Sequence, residues 1–202
     1  MSVRSPIEEM RKEHQALLND AKELEATVRG LEAGTGESWD RVGGSLPERL
    51  EMFHRGLLLH FRREEEGLFP DARRMVSERA RRADVVGQFF AEEAEDDVSA
   101  HAVLAARTQE TAALVAQIEQ AGSLDQRSLA RLRTLVNLTR GLLERHAEKE
   151  DKLIFPMIQR SLDPAQLEQV NQRLQALGSA ADLTDAGMRG DEDLKGLGAD
   201  RE

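Results

Sequence analysis

His60-Phe61-Arg62-Arg63-Glu64-Glu65, running on to Leu68-Phe69-Pro70, is the stretch on which the fold turns, because the chain writes it twice. The second copy is His146-Ala147-Glu148-Lys149-Glu150-Asp151, running on to Ile154-Phe155-Pro156. In both copies acids stand four and five residues after the histidine, and an aliphatic-Phe-Pro triplet follows at the same distance. Every matched position is displaced by 86 residues. On a helix of 3.6 residues per turn, a step of four returns to nearly the same face about 6 Å further along. His60 with Glu64, and His146 with Glu150, can therefore each grip one ligand, and imidazole beside carboxylate suits a metal.

His14 and His101 stand 46 and 45 residues ahead of the two copies. Each half thus reads as a helix with one histidine followed by a helix with His-x-x-x-Glu. Four histidines and two glutamates from four helices make a two-metal site of His14, His60, Glu64, His101, His146 and Glu150.

The flanking residues supply the helices. From Ser5, with Pro6 at the first helical position, Ile7, Met10, Leu17, Ala21, Leu24, Val28 and Leu31 fall at helical spacing, with His14 inside their stripe. A loop through Trp39 and Gly43-Gly44 leads to Ser45 as a cap. The second helix carries Leu46, Leu50, Phe53, Leu57, His60, Glu64 and Leu68, so the polar residues sit where leucine would be expected. Buried polar groups of that kind cost several kcal/mol unless something satisfies them, and a cation does so most completely. Pro70 and Pro156 lack an N–H and predict that the second and fourth helices bend or end there. A third helix is expected from about Asp84 to Gln120, a fourth from about Asp125 to Ser161, and a short fifth over Pro164 to Leu177, packed outside the bundle or extending from it.

The composition fits this plan. The 202 residues hold few aromatics, no tyrosine and no cysteine, with a formal charge of −10. Without thiolates any metal must be held by nitrogen and oxygen, and without tyrosine no tyrosyl radical forms. The negative charge argues against nucleic-acid or anionic-membrane partners. No apolar run reaches 18 residues and the first residues lack an apolar core, so neither a signal peptide nor a membrane span is read, and a cytoplasmic location is expected. From Gly178 onward seven acids, three bases and five glycines predict a disordered acidic tail. The expected organisation is a four-helix unit over 1–162, an additional helix over 163–177 and the tail over 178–202.

Taken together, His14, His60 with Glu64, His101, His146 with Glu150, and the two Phe-Pro triplets resemble the hemerythrin-like (HHE cation-binding) family over about residues 5–160. The resemblance implies an all-α, up-down four-helix bundle around a non-haem di-iron centre. Two Fe ions, with Mn or Zn as substitutes, would be bridged by Glu64, Glu150 and an oxo, hydroxo or water ligand. The oxygen-carrying members hold five histidines at their metals; here Asp97 stands four residues before His101 where they have another histidine. Asp97 is thus a candidate extra ligand or outer partner of His101, and a solvated carboxylate is its other reading. In the carriers the acid of the fourth helix stands five residues after the histidine, so Asp151 competes with Glu150, and Glu65 with Glu64. The step of four is favoured, because it lies nearer the histidine's direction on an α-helix. His54 lies about 240° round the helix from His60 and reads as a surface or packing histidine.

Open coordination positions imply a small diatomic or peroxide ligand. The expected function is a di-iron protein that binds and reacts with O2, peroxide or nitric oxide, an oxidoreductase if it turns over, served by a redox partner. The alternative is iron or oxygen storage or sensing without turnover. A ferritin-like ferroxidase is disfavoured because that group uses Glu-x-x-His, the reverse order at a step of three.

Overall fold

The computed structural model describes residues 5–36, 38–80 and 85–178, with side chains over 5–36, 38–74 and 98–178. Asp97 and the tail beyond Gly178 lie outside the described side chains. Helix α1 spans Pro6–Gly30 and closes in a 3₁₀ turn, Leu31–Gly34. A one-turn α2, Trp39–Val42, precedes α3, Leu46–Arg62. A π-helical turn, Arg63–Leu68, leads into α4, Phe69–Ala80. Then come α5, Val85–Ala121, and α6, Gln126–Lys149. A second π-turn, Glu150–Ile154, leads into α7, Phe155–Ser161, and α8 is Pro164–Ala176. No strand forms among the described residues, and the architecture is the all-α helical bundle expected.

Four rods emerge: α1, α3 continued by α4, α5, and α6 continued by α7. Rod α1 packs on α3 and α6, and α5 packs on α3, α4 and α6, which closes the bundle. The loops after α1 and α5 meet at one end, where Gly36 N donates to Leu124 O at 2.9 Å and Trp39 N to Gly122 O at 2.9 Å. That meeting fixes the alternating up-down course. Gly122 makes the α5–α6 turn at φ 69°, a conformation that a Cβ would strain. Asp125 then caps α6 by accepting from Ser128 N at 2.7 Å. Ser45 stands at the N-cap of α3 but does not cap it: its hydroxyl accepts from Arg49 Nε at 3.1 Å instead.

The prolines act differently from the expectation of a bend or stop at Pro70 and Pro156. The regular α-helix ends well before each, at Arg62 and Lys149, and each proline is the second residue of a new helix, where its missing N–H costs nothing. The intervening π-turns widen the helix and make room for the ring.

Apolar side chains form two clusters. One runs from the loop end through Leu24, Leu50, Phe53, Leu57, Leu104, Leu132 and Leu143. The other gathers Ile7, Met10, Leu68, Phe69, Ile154, Phe155, Ile158 and, from α8, Val170 and Leu174. Between them lies a polar layer: His14 falls between Met10 and Leu17, His60 between Leu57 and Leu68, and His146 between Leu143 and Ile154. Helix α8 packs outside the bundle against the first π-turn and α1.

Candidate metal centre

All six predicted ligands converge in this polar layer. His14, Glu64 and Glu150 are 0% exposed, with His60, His101 and His146 at 1%, 3% and 4%. One ligand atom from each of His14, His60, Glu64, His146 and Glu150 lies within 4.8 Å of all the others. His101 adjoins this group, its Nε2 3.2 Å from Glu64 Oε2.

The carboxylates sit between histidine pairs. The ring centroids of His14 and His60 are 4.7 Å apart and those of His101 and His146 4.9 Å, whereas His14–His146 and His60–His146 are 6.0 and 6.5 Å. Glu64 Oε1 faces the first pair, 3.1 Å from His60 Nε2 and 3.6 Å from His14 Nε2. Glu64 Oε2 faces the second, 3.2 Å from His101 Nε2 and 3.9 Å from His146 Nε2. Glu150 Oε2 lies 2.9 Å from His14 Nε2 and 3.4 Å from His146 Nε2. Donor atoms that each sit about 2.0–2.2 Å from a common ion stand about 3 Å apart, so these spacings fit coordination.

Orphaned polar atoms point the same way. His14 Nε2, His60 Nε2 and both oxygens of Glu64 are wholly buried and make no hydrogen bond. Buried polar atoms are almost always satisfied, and a cation would satisfy these together. Imidazole and carboxylate donors without sulfur suit iron, manganese or zinc. In the metal-free protein the cluster balances its own charge. Burial pulls His60 down, but Glu64 and Glu13 outweigh it and push it up to about 9. Burial also pulls His14 down, and Asp151 and Glu64 again reverse the sign, leaving it raised. Burial alone would raise Glu64; the surrounding His60, His101 and His14 hold it well below the usual carboxylate range.

The second acid of each copy faces a histidine's far nitrogen. His101 Nδ1 donates to Glu65 at 2.8 Å and His14 Nδ1 to Asp151 at 3.1 Å. A turn that closes over five residues swings position five further inward than an α-helix does, so both acids of each motif reach the site. The service is crossed: the first copy's Glu65 supports the second half's His101, and the second copy's Asp151 supports the first half's His14. Such bonds fix the tautomer, leave Nε2 free for the metal and raise its basicity.

Sequence reasoning missed Glu13 and Arg63. His60 Nδ1 donates to Glu13 at 3.0 Å, and Arg63, 1% exposed, pairs with both Glu13 and Glu9. The available signal was charge alone: Glu9 and Glu13 four residues apart on α1, and Arg63 within the charged run Arg62 to Glu66. Two rings cover the imidazoles: Phe155 stacks on His14 at 5.4 Å and Phe61 on His101 at 4.0 Å. His54 packs across the bundle, its Nδ1 2.6 Å from Thr108 Oγ1, and takes no part.

No described helix is long and apolar enough to cross a membrane. A search of curated proteins finds no match to this chain. The profile of the Hemerythrin HHE cation binding domain matches residues 5–110, a stretch holding His14, His60, Glu64 and His101, while the bundle brings His146 and Glu150 from beyond it to the same layer. With that match over more than half its length and a buried His/Glu cluster fit for a metal, the chain belongs to the hemerythrin HHE cation-binding family.

Proposed function

We propose that the chain is a non-haem di-iron protein whose centre binds and reacts with O2, peroxide or nitric oxide. The observation that carries this reading is the placement of Glu64, whose two oxygens address different histidine pairs. A bridging carboxylate between two neighbouring ions has that arrangement. His14 and His60 would hold one iron, His101 and His146 the other, and Glu64 and Glu150 would be shared. Manganese or zinc would satisfy the same donors. Bound iron supplies open coordination positions for a small ligand and a one-electron couple.

The remaining work falls to this chain's own residues. Glu13, Glu65 and Asp151 hold the Nδ1 protons of His60, His101 and His14 and so aim each Nε2 inward. Leu68, Phe69, Ile154 and Phe155, all 0% exposed, exclude water from one side. Leu57, Leu104 and Leu143 exclude it from the other. A second reading, storage or sensing without turnover, draws on that same enclosure, since it favours retention of an ion over rapid exchange of substrates.

The deciding experiment is metal analysis followed by anaerobic titration of the reduced protein with O2, peroxide and nitric oxide under a spectrophotometer. About two irons per chain and new visible absorption are expected. Catalytic consumption of peroxide supports the reactive reading, and a single equivalent taken up supports storage or sensing. A protein that takes up no more than one ion per chain would overturn the two-ion centre.

A further inference from the structure

The first π-turn is held from outside the bundle. Arg173 of α8 donates from Nε to Gly67 O at 3.0 Å and pairs through Nη2 with Asp71, which is 4% exposed and also engages Arg74. Beside this fork, Gly67 lies so close beneath α8 that a Cβ there would stand 2.4 Å from Leu174 Cδ2. Val170 and Leu174 fill the apolar cluster that holds Leu68, Phe69 and Ile154. Helix α8 starts on a complete capping box, with Gln166 N donating to Asp163 at 2.9 Å and Asp163 N to the Gln166 side chain at 2.9 Å. It is therefore a well-formed rod from its first turn.

What it holds is the turn that carries Glu64 and Glu65, three and two residues before Gly67. π-Helical turns are rare and concentrate at functional sites. The second π-turn has its own fastening from within the bundle: Arg11 of α1 donates to Asp151 O at 3.0 Å, with Nε 3.6 Å from Asp151 Oδ1. Each wide turn is thus fixed by an arginine reaching a backbone carbonyl. Only the first depends on a helix that lies beyond the stretch matched by the family profile.

We propose that Arg173 is a positioning residue for the metal centre, fixing the turn that presents Glu64 and Glu65, so that α8 governs how fast the centre releases its ion. This rests on the metal-binding reading above. Loosening the fork frees the turn to move Glu64, which faces His14, His60, His101 and His146.

The test uses the full chain loaded with Co2+ and challenged with excess EDTA, following loss of the cobalt absorption by stopped flow. Arg173→Met should release cobalt about tenfold faster than wild type at unchanged stoichiometry, the size of effect seen when outer partners of metal ligands are removed. Arg133→Met, which removes an exposed pair with Glu32, should release at the wild-type rate. In the metal-free chain, amide exchange over 63–69 should quicken with Arg173→Met alone. Equal release rates for wild type and Arg173→Met overturn the proposal and leave the metal centre standing, whereas a wild-type chain that takes up no cobalt overturns both. If Arg173→Met loses its helical far-UV spectrum, Arg173→Lys decides by the same rate, because an ammonium cannot serve Gly67 O and Asp71 through a fork.

Discussion

The two halves of the bundle carry the same ligand pattern on different supports. In the first, His60 leans on Glu13, which Arg63 and Glu9 hold from behind. In the second, Ala100 and Lys149 occupy the positions matching Glu13 and Arg63. Phe155 of the repeated triplet stacks on His14, but His101 is covered by Phe61, which has Ala147 as its counterpart. The repeat therefore fixes the inward-facing histidines and glutamates, and the surroundings have been solved twice. The crossed acids bind the two solutions together, since each half completes the other's first histidine.

The comparison can be broken most completely at Glu64, which belongs to both halves at once. Glu64→Gln removes the shared charge, and metal content measured by mass spectrometry should fall from about two ions per chain to well under one, with affinity down about 100-fold. Next comes the support behind His60. Arg63→Met leaves Glu13 and Glu9 facing a buried gap, and should cost about 2–3 kcal/mol in urea denaturation of the metal-free protein, the partners' partial exposure softening the loss. Gly67→Ala should cost about 1–3 kcal/mol in the same assay, because its methyl collides with Leu174. Gly30→Ala meets nothing within 4 Å and should be neutral or stabilising.

The crossing itself is sharpened by a matched pair. Asp151→Asn should disturb His14 and Glu65→Gln His101, each weakening ion binding about tenfold. Paramagnetically shifted histidine resonances of the cobalt form should respond in the half opposite the substitution; a response in the same half would sink the crossed arrangement. The smallest effect is expected from pH. In the metal-free protein His60 sits at about 9 against an ordinary 6.5, so its stabilising contribution is complete below about 6.5 and is lost as pH rises through about 9. Glu64 works in the opposite sense: its contribution is present above about 4.5 and is lost as pH falls through its depressed value. Urea midpoints of the metal-free chain should decline between about pH 6.5 and 9, while affinity for the ion rises over the same range as the competing proton leaves.

Much of this was legible before any coordinates. A stripe of leucines that turns to His60 and Glu64, repeated 86 residues on, specifies both the bundle and the layer where it is polar. The apolar spacing of α1, α3 and α6 placed their buried faces because helical period and burial are tied together. The π-turns were not legible, since Pro70 and Pro156 announce a disturbance without saying whether the chain bends, stops or widens. With α-helical geometry assumed, Glu65 and Asp151 had to compete with their neighbours; a wider turn gives each a separate task. Glu13 and Arg63 escaped notice because a charge beside His14 acquires meaning only once the rotation of α1 against α3 is known. Likewise, the docking of α8 depends on the shape of a turn that periodicity does not encode. Asp97 lies outside the described side chains.

The apolar interior is cut in two by a charged stratum. The larger hydrophobic block gathers around Leu57 and Leu143 and the smaller around Phe69, Phe155 and Leu174. Between them stand imidazole and carboxylate groups rather than apolar contacts. An ion held in the stratum would join the two blocks, so its removal is expected to lower the urea midpoint of the chain.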